Sequence, residues 1–330
     1  MSSLPPSDDT APSAADTFRQ LLEVLDVKPA GSWSLEVSDT TGAFSDQSQR
    51  DMELFVGTSQ PTPQRRAFGG QVLAQTVMAG GLSVRGAGLP ERRIHSLHAY
   101  FIRPGDSSAP INFAVENLRD GNSFSQRRVH ALQGGQTILS GTLSFQEPAE
   151  GLDHQAPMPA VPDPERVWTA REELDGLAGL HPAVNHWINR AVDVRTVEGA
   201  LYFKPGRQHY AGQNVWMKAV EPLPDDPLIH AAVLAYASDY TLLEPVLRRH
   251  GLVWADKRLR PASLDHSMWF HRPTRIDEWV LYTQESPSAS GGRGLGMGKI
   301  YAQDGTLACT VAQEGMVRLK DDTSKSRYDA

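Results

Sequence analysis

Three side chains in the second half of the 330-residue sequence have the types that hydrolysis by an activated water needs: Asp239, Ser263 and Gln313. A carboxylate base, a hydroxyl and a side-chain amide can together hold a water within ~3 Å of a carbonyl carbon and accept its proton. Asp239 lies in Ala235-Tyr-Ala-Ser-Asp-Tyr-Thr-Leu-Leu243, among small and apolar neighbours, where a charge is costly unless hydrogen bonds answer it. Each residue also has a plainer reading. Asp239 suits a helix or turn cap, Ser263 a strand-entry turn, and Gln313, in Thr310-Val-Ala-Gln-Glu-Gly315, a solvated strand end.

Other chemistries fit the sequence less well. Pro261-Ala-Ser-Leu-Asp-His-Ser-Met-Trp-Phe-His-Arg-Pro273 gathers a hydroxyl, a carboxylate and two imidazoles, but Ser263, Asp265 and His266 are too close on one strand to form a serine–histidine–acid relay. His95 with His98, and His266 with His271, have odd spacings that place each pair on opposite strand faces without supporting ligands, so no metal is expected. Gly291-Gly-Arg-Gly-Leu-Gly296 lacks the lysine and following helix of a phosphate loop. Cys309, the sole cysteine, sits in the apolar run Leu307-Ala-Cys-Thr-Val311 and reads as a buried small residue rather than a nucleophile.

These residues need elements to hold them. Residues 1–17, rich in Ser, Pro, Ala and Asp, read as disordered, with neither the basic head nor the apolar stretch of a signal peptide. Apolar spacing predicts a short helix over Phe18 to Leu25, and alternation a strand over Trp33 to Val37; a polar segment then runs to about Arg66, broken by Met52 to Val56. A glycine turn at Gly69-Gly70 feeds a buried helix, and strands follow at Ile94–Ile102, Ile111–Leu118, Ser123–Leu132 and Thr137–Gln146, separated by turn signals such as Arg-Asp-Gly-Asn122. Residues 147–192 form a proline-rich linker and a helical pattern expected to cover the first unit. The order then recurs: strands at Val194–Phe203 and Asn214–Val220, a helix over Leu228 to Leu243, and strands at Ala262–Phe270, Glu278–Ser286, Gly294–Gln303 and Thr306–Val317.

Phe101-Ile-Arg-Pro104 and Phe270-His-Arg-Pro273 lie 169 residues apart, about half the chain, and the same offset carries Gly70 onto Asp239. Helix followed by antiparallel meander, twice, predicts two tandem α+β units over 18–146 and 193–318, with a tail from 319. A net charge of −7 with no long basic run excludes nucleic-acid and anionic-membrane surfaces, and no apolar run reaches the ~18 residues of a membrane span. An anionic ligand would need a local pair such as Arg65-Arg66, Arg92-Arg93 or Arg127-Arg128. One cysteine fits a reducing cytoplasm.

Six strings, in order, carry a resemblance: Phe68-Gly-Gly-Gln71, His95 through Asp106, Arg119 through Val129, Tyr236-Ala-Ser-Asp239, Asp265 through Pro273 and Gln313-Glu-Gly315. Together they resemble the acyl-CoA thioesterase II (TesB) family from Phe68 to Gly315. The resemblance implies a double hotdog fold, each unit a long helix wrapped by an antiparallel sheet, and hydrolysis of acyl-CoA to fatty acid and CoA without a cofactor. It matches the family's acid, hydroxyl and amide to Asp239, Ser263 and Gln313. Gly69, Gly70, Gln71, His95, Arg127 and Arg128 are the expected substrate-binding residues. A developing oxyanion would take its donors either from the backbone amides around Gly69-Gly70-Gln71 or from those of the second helix. A homo-oligomer is expected. The competing readings are a hotdog-type acyl-thioester hydratase or dehydratase on the same fold and a non-catalytic acyl-CoA-binding protein.

Overall fold

The computed structural model describes residues 12–36, 49–62, 64–175, 182–206 and 209–320. Helix α1 (Ala14–Leu25) starts four residues before the expected Phe18, because Ser13 and Asp16 form a capping box outside the apolar stripe. The expected disordered head is therefore corrected at 14–17, and its residues 1–11 lie outside the described residues. Strand β1 (Lys28–Glu36) pairs with β2 (Gln49–Gly57), which takes up the Met52–Val56 run; Val37 and the polar 40–48 segment lie outside the described residues. Then come α2 (Gly69–Gly86), β3 (Arg93–Phe101), β4 (Ile111–Asp120), β5 (Phe124–Gln133) and β6 (Gln136–Gln146), within two residues of the expected meander.

The connector carries two short helices, α3 (Ala170–Glu173) and α4 (Pro182–Ile188), and it covers the second half rather than the first. The indole of Trp216 donates to the Pro162 carbonyl at 2.9 Å, Met158 and Val161 pack on Trp216 and Trp279, and Trp187 stacks on Tyr202. Aromatic residues of the second half give this proline-rich segment its apolar surface, which periodicity along the connector could not reveal.

Strands β7 (Val192–Thr196) and β8 (Gly212–Ala219) lead into α5 (Pro227–Ser238) and α6 (Glu244–Arg249). Strands β9 (Leu259–Ser263), β10 (Asp265–Phe270), β11 (Val280–Ser290), β12 (Arg293–Ala302) and β13 (Leu307–Leu319) complete the chain's sheet. The expected strand Val194–Phe203 stops at Thr196, and the expected single strand Ala262–Phe270 is broken at Leu264.

Among the described residues the strands form one antiparallel sheet in the order β1-β2-β4-β5-β6-β3-β10-β13-β12-β11-β8-β7, with β9 beside β13. Read from either end the order is the same once each strand is replaced by its counterpart, so the halves are related by a pseudo-twofold axis. The axis can be placed. β3 and β10 pair antiparallel with His98 opposite Ser267, and those two residues are themselves 169 apart. The register irregularity at His95 in β3 likewise recurs 169 residues on, at the Leu264 break. The architecture is an α+β double hotdog.

The halves are not equal in their helices. The first sheet closes on α2, which is buried on all sides, whereas β8, β11 and β12 close on α6, and α5 lies antiparallel along α2. The expected continuous helix Leu228–Leu243 therefore ends at Asp239, and a turn carries the chain into α6, where Pro245 in the first turn lacks the amide a through-going helix would require. That turn is pressed onto the sheet. A Cβ at Gly296 would lie 2.1 Å from the Leu242 carbonyl oxygen, and one at Gly294 would meet Val246 at 2.7 Å. The glycine-rich stretch thus serves close backbone approach, not phosphate binding.

Gly296→Ala is expected to lower stability by about 1–3 kcal/mol, because both atoms in collision belong to or abut backbone. Gly86→Ala, at an exposed helix end with nothing within 4 Å of the added Cβ, is expected to be neutral or stabilising by up to about 1 kcal/mol. Thermal unfolding of the two variants side by side checks this, and equal melting temperatures would contradict the close contact.

Candidate active site

Asp239 is the C-terminal cap of α5, and the antiparallel packing of α5 on α2 delivers its carboxylate to the N-terminus of α2. Two glycines allow the approach: a Cβ at Gly70 would lie 2.3 Å from the Tyr236 carbonyl oxygen, and one at Gly69 would lie 2.7 Å from Asp239 Oδ2. Phe68, stacked on Tyr240 and edge-on to Tyr236, fixes the two helix ends against each other. The Gly70 amide donates to Asp239, so one unsatisfied donor of the helix start is spent on the acid, with the helix dipole in support.

The other two residues arrive from the sheet. Ser263 closes β9 just before the Leu264 break, which turns its hydroxyl towards α5; its Oγ lies 3.4 Å from Asp239 Oδ1, donating to it. Gln313, on the inner face of β13, donates from Nε2 to Ser263 Oγ at 2.8 Å, and its amide also bonds the Asp239 carboxylate. The three residues singled out as acid, hydroxyl and amide therefore meet, although 74 residues separate the first from the last. Burial pushes the Asp239 carboxyl up to about 6, against the hydrogen bonds from Gln313, the Gly70 amide and Ser263, which pull it down. A carboxyl in that range is a base poised for neutral pH.

Behind Gln313 lies a residue whose role the sequence reading missed. His266 is fully buried, with Nδ1 2.5 Å from Gln313 Oε1 and Nε2 2.9 Å from Ser238 Oγ. Burial pushes its imidazole down to about 4, so it is neutral at pH 7. Strand alternation rightly separates His266 from Asp265, but His266 continues the β10–β13 register set by Ser267 and Ala312 and so faces Gln313. The signal was the even spacing of His266 and the apolar Met268, which marks an inward face.

The expected substrate-binding set divides. Gly69 and Gly70 line the site. The Gln71 side chain is buried and turned away, accepting from the Gln60 amide at 2.9 Å and donating to Gln75 Oε1 at 3.1 Å, so only its backbone amide faces the helix start. His95 is six residues before Phe101 on β3, roughly 20 Å along the strand from the end that meets Gly69, and it bonds Ser144 Oγ at 2.8 Å beside Phe124. Arg127 is fully buried, held by Asp120, Asn117 and Ser83, and Ser83 sits at the far end of α2, roughly 20 Å from Gly70. Arg128 pairs with Glu116 on the same sheet region. Neither arginine is brought to the acid. Arg127, expected as part of a basic pair for an anionic ligand, is instead taken inside the sheet, where the Asp120 carboxylate offsets the cost of burying its charge. Cys309 is fully buried and its thiol is pushed up by burial, which disarms it as a nucleophile. Among the described residues no group of three or more His, Cys, Asp and Glu could hold a metal, and no helix is long and apolar enough to cross a membrane.

Comparison with known proteins supplies the family. The family model described as Acyl-CoA thioesterase matches residues 184–316, and that of the Acyl-CoA thioesterase N-terminal domain matches residues 58–146. The Acyl-CoA thioesterase 2 of Haemophilus influenzae is 40% identical over 272 residues, covering 81% of this chain and 93% of that protein. The human Acyl-coenzyme A thioesterase 8 is 38% identical over 288 residues, covering 84% and 88%. The crystal structure of an acyl-CoA thioesterase II, TesB2, from Mycobacterium marinum superposes with a TM-score of 0.67 at 37% identity, covering 91% of this chain and 99% of that one. A fold of two equivalent halves, matched half by half and along most of its length, makes this chain a member of the acyl-CoA thioesterase family.

Proposed function

We propose that the chain hydrolyses fatty acyl-CoA to free fatty acid and CoA, with Asp239, Ser263 and Gln313 activating the water. The observation that carries this reading is the convergence of a carboxylate tuned to about 6 with a hydroxyl and an amide at a helix N-terminus. Ionised Asp239 accepts a proton as the water oxygen bonds to the thioester carbonyl carbon. Negative charge then develops on the carbonyl oxygen. The first backbone-to-backbone bond of α2 runs from Val72 to Phe68, and Gly70 serves Asp239, so the amides of Gly69 and Gln71 are the donors assigned to that oxygen. Collapse breaks the carbon–sulfur bond, and the departing thiolate takes the proton from Asp239, downhill from a carboxyl near 6 to a thiol near ~8.5. No acyl-enzyme forms.

The duplicated units are proposed as 18–146 and 193–318, the second supplying the acid, hydroxyl and amide side chains and the first supplying backbone amides, since the counterpart of Asp239 in the first is Gly70. The chain is further proposed to assemble with copies of itself and to work in the cytoplasm. Tyr100 and Trp269, exposed on the outer face of the central β3–β10 pair, support the first reading, and the single buried thiol supports the second.

Asp239→Asn is expected to lower kcat roughly 10²–10⁴-fold in a CoA-thiol release assay, a readout that a hydratase or a passive binder would not give. Activity near wild type would overturn the assignment. Wild-type kcat/KM should rise with pH through about 6 as Asp239 ionises. The stability consequence has the opposite sign. A carboxyl moved up from 3.8 to about 6 favours the folded state when protonated, and that contribution is lost between about pH 4 and about pH 6, on the order of 3 kcal/mol in all. The melting temperature of Asp239→Asn should accordingly gain on wild type across that window.

Ser263→Thr keeps the hydroxyl and should keep most turnover, whereas Ser263→Ala should lose roughly 10–100-fold in kcat. Equal losses would indicate packing instead of a hydrogen-bonding role. Cys309→Ala should retain turnover, and native enzyme should withstand thiol alkylation. A folded but inactive Cys309→Ala protein would contradict direct water attack.

A further inference from the structure

Resting on that reading of the site, we propose that His266 is a positioning residue whose Nδ1–H tautomer fixes which way the Gln313 amide points. The amide has one acceptor and one donor end, and each end touches a different neighbour: His266 Nδ1 at 2.5 Å and Ser263 Oγ at 2.8 Å. Two arrangements satisfy every contact in the chain Ser238–His266–Gln313–Ser263. In the first, Ser238 donates to His266 Nε2, His266 Nδ1–H donates to Gln313 Oε1, Gln313 Nε2 donates to Ser263 and Asp239, and Ser263 donates to Asp239. In the second, the imidazole is protonated on Nε2 and Ser238 donates to the Ala235 carbonyl, 3.0 Å away; the amide is reversed, and Ser263 must donate to Gln313. The second arrangement places a carbonyl oxygen beside the Asp239 carboxylate and withdraws both side-chain donors from it. The first directs every hydrogen toward the acid.

An imidazole is suited to this because its neutral form has one donor and one acceptor, and full burial keeps it neutral. The other groups facing the network carry no competing charge. Tyr282 on β11 donates to the Ser238 carbonyl at 3.4 Å, and burial holds Tyr282, Tyr236, Tyr240 and Cys309 in their neutral forms. Arg190 lies over the Tyr240 ring, 4.5 Å from its centre. Asp265 and Glu314, the chain neighbours of His266 and Gln313, alternate to the opposite face, where Asp265 accepts from the Glu314 amide at 2.8 Å.

Two experiments decide the matter on the full chain. In the first, nitrogen-15 NMR of labelled histidine reads the tautomer in wild type, where His266 is expected to be protonated on Nδ1 and bare on Nε2 at neutral pH. A proton on Nε2 would overturn the proposal without any variant being made. In the second, His266→Phe removes the donor and His266→Asn returns one at the Nδ position. His266→Phe should lose roughly 10–100-fold in kcat with little change in KM, and the acidic limb of its pH–rate profile should move up by roughly one pH unit as Asp239 loses the amide donor. His266→Asn should recover at least about tenfold of that kcat and return the limb towards wild type. A folded His266→Phe enzyme with an unmoved limb, or His266→Asn as impaired as His266→Phe, would show a packing role and overturn the assignment.

Discussion

Everything in this molecule turns on placing one carboxylate where water is scarce but donors are plentiful. Asp239 ends a helix that is apolar all round, and it is tolerated there because it meets the first amides of a second, antiparallel helix. Burial raises its pKa and three hydrogen bonds restrain the rise, leaving a group that can both hold and release a proton near neutrality. Remove the close approach at Gly69 and Gly70 and the acid would be either stranded in the core or exposed to bulk water. The two helix ends, the aromatic clamp of Phe68, Tyr236 and Tyr240, and the turn pressed on Gly296 are arranged around that requirement.

The two copies contribute unequally to the site, the second its side chains and the first its backbone amides. The halves share strand order, register at the central pair and even the irregularity at His95 and Leu264. They differ where α5 is laid along α2, a helix pairing that fills the space between the halves and brings the acid of one to the amides of the other. His95 and Ser144 lie 169 residues before Leu264 and Gln313, so their contact is the first half's counterpart of the strand break and amide that hold Ser263. With Gly70 in place of the acid, that copy has a hydrogen bond but no base.

Much of this was legible in the sequence, and the failures are instructive. The meander strands can be placed within a few residues because turn residues punctuate them, and the 169-residue offset exposes the repeat on its own. Asp239 stood out as a charge among small apolar residues. The break in the second helix did not, because α5 and its following turn are buried on every side and so carry no 3.6-residue period to interrupt. Arg127 was misread because local spacing says nothing of the Asp120 carboxylate that receives it inside the sheet. His266 was dismissed on sound intrastrand geometry, yet its partner comes from β13, 47 residues away. Local pattern reports the face a residue occupies; only the assembled sheet reports what lies opposite.

The central claim is that water, not an enzyme side chain, attacks the thioester. The most direct measurement is a single turnover, enzyme in excess over acyl-CoA, in water enriched in the heavy oxygen isotope. Mass spectrometry of the released fatty acid and of the peptide containing Asp239 then locates the label. Direct attack predicts one heavy oxygen in the acid and none in the Asp239 carboxylate. An unlabelled acid with label in the Asp239 peptide would mean that the carboxylate itself had been acylated and would contradict the account.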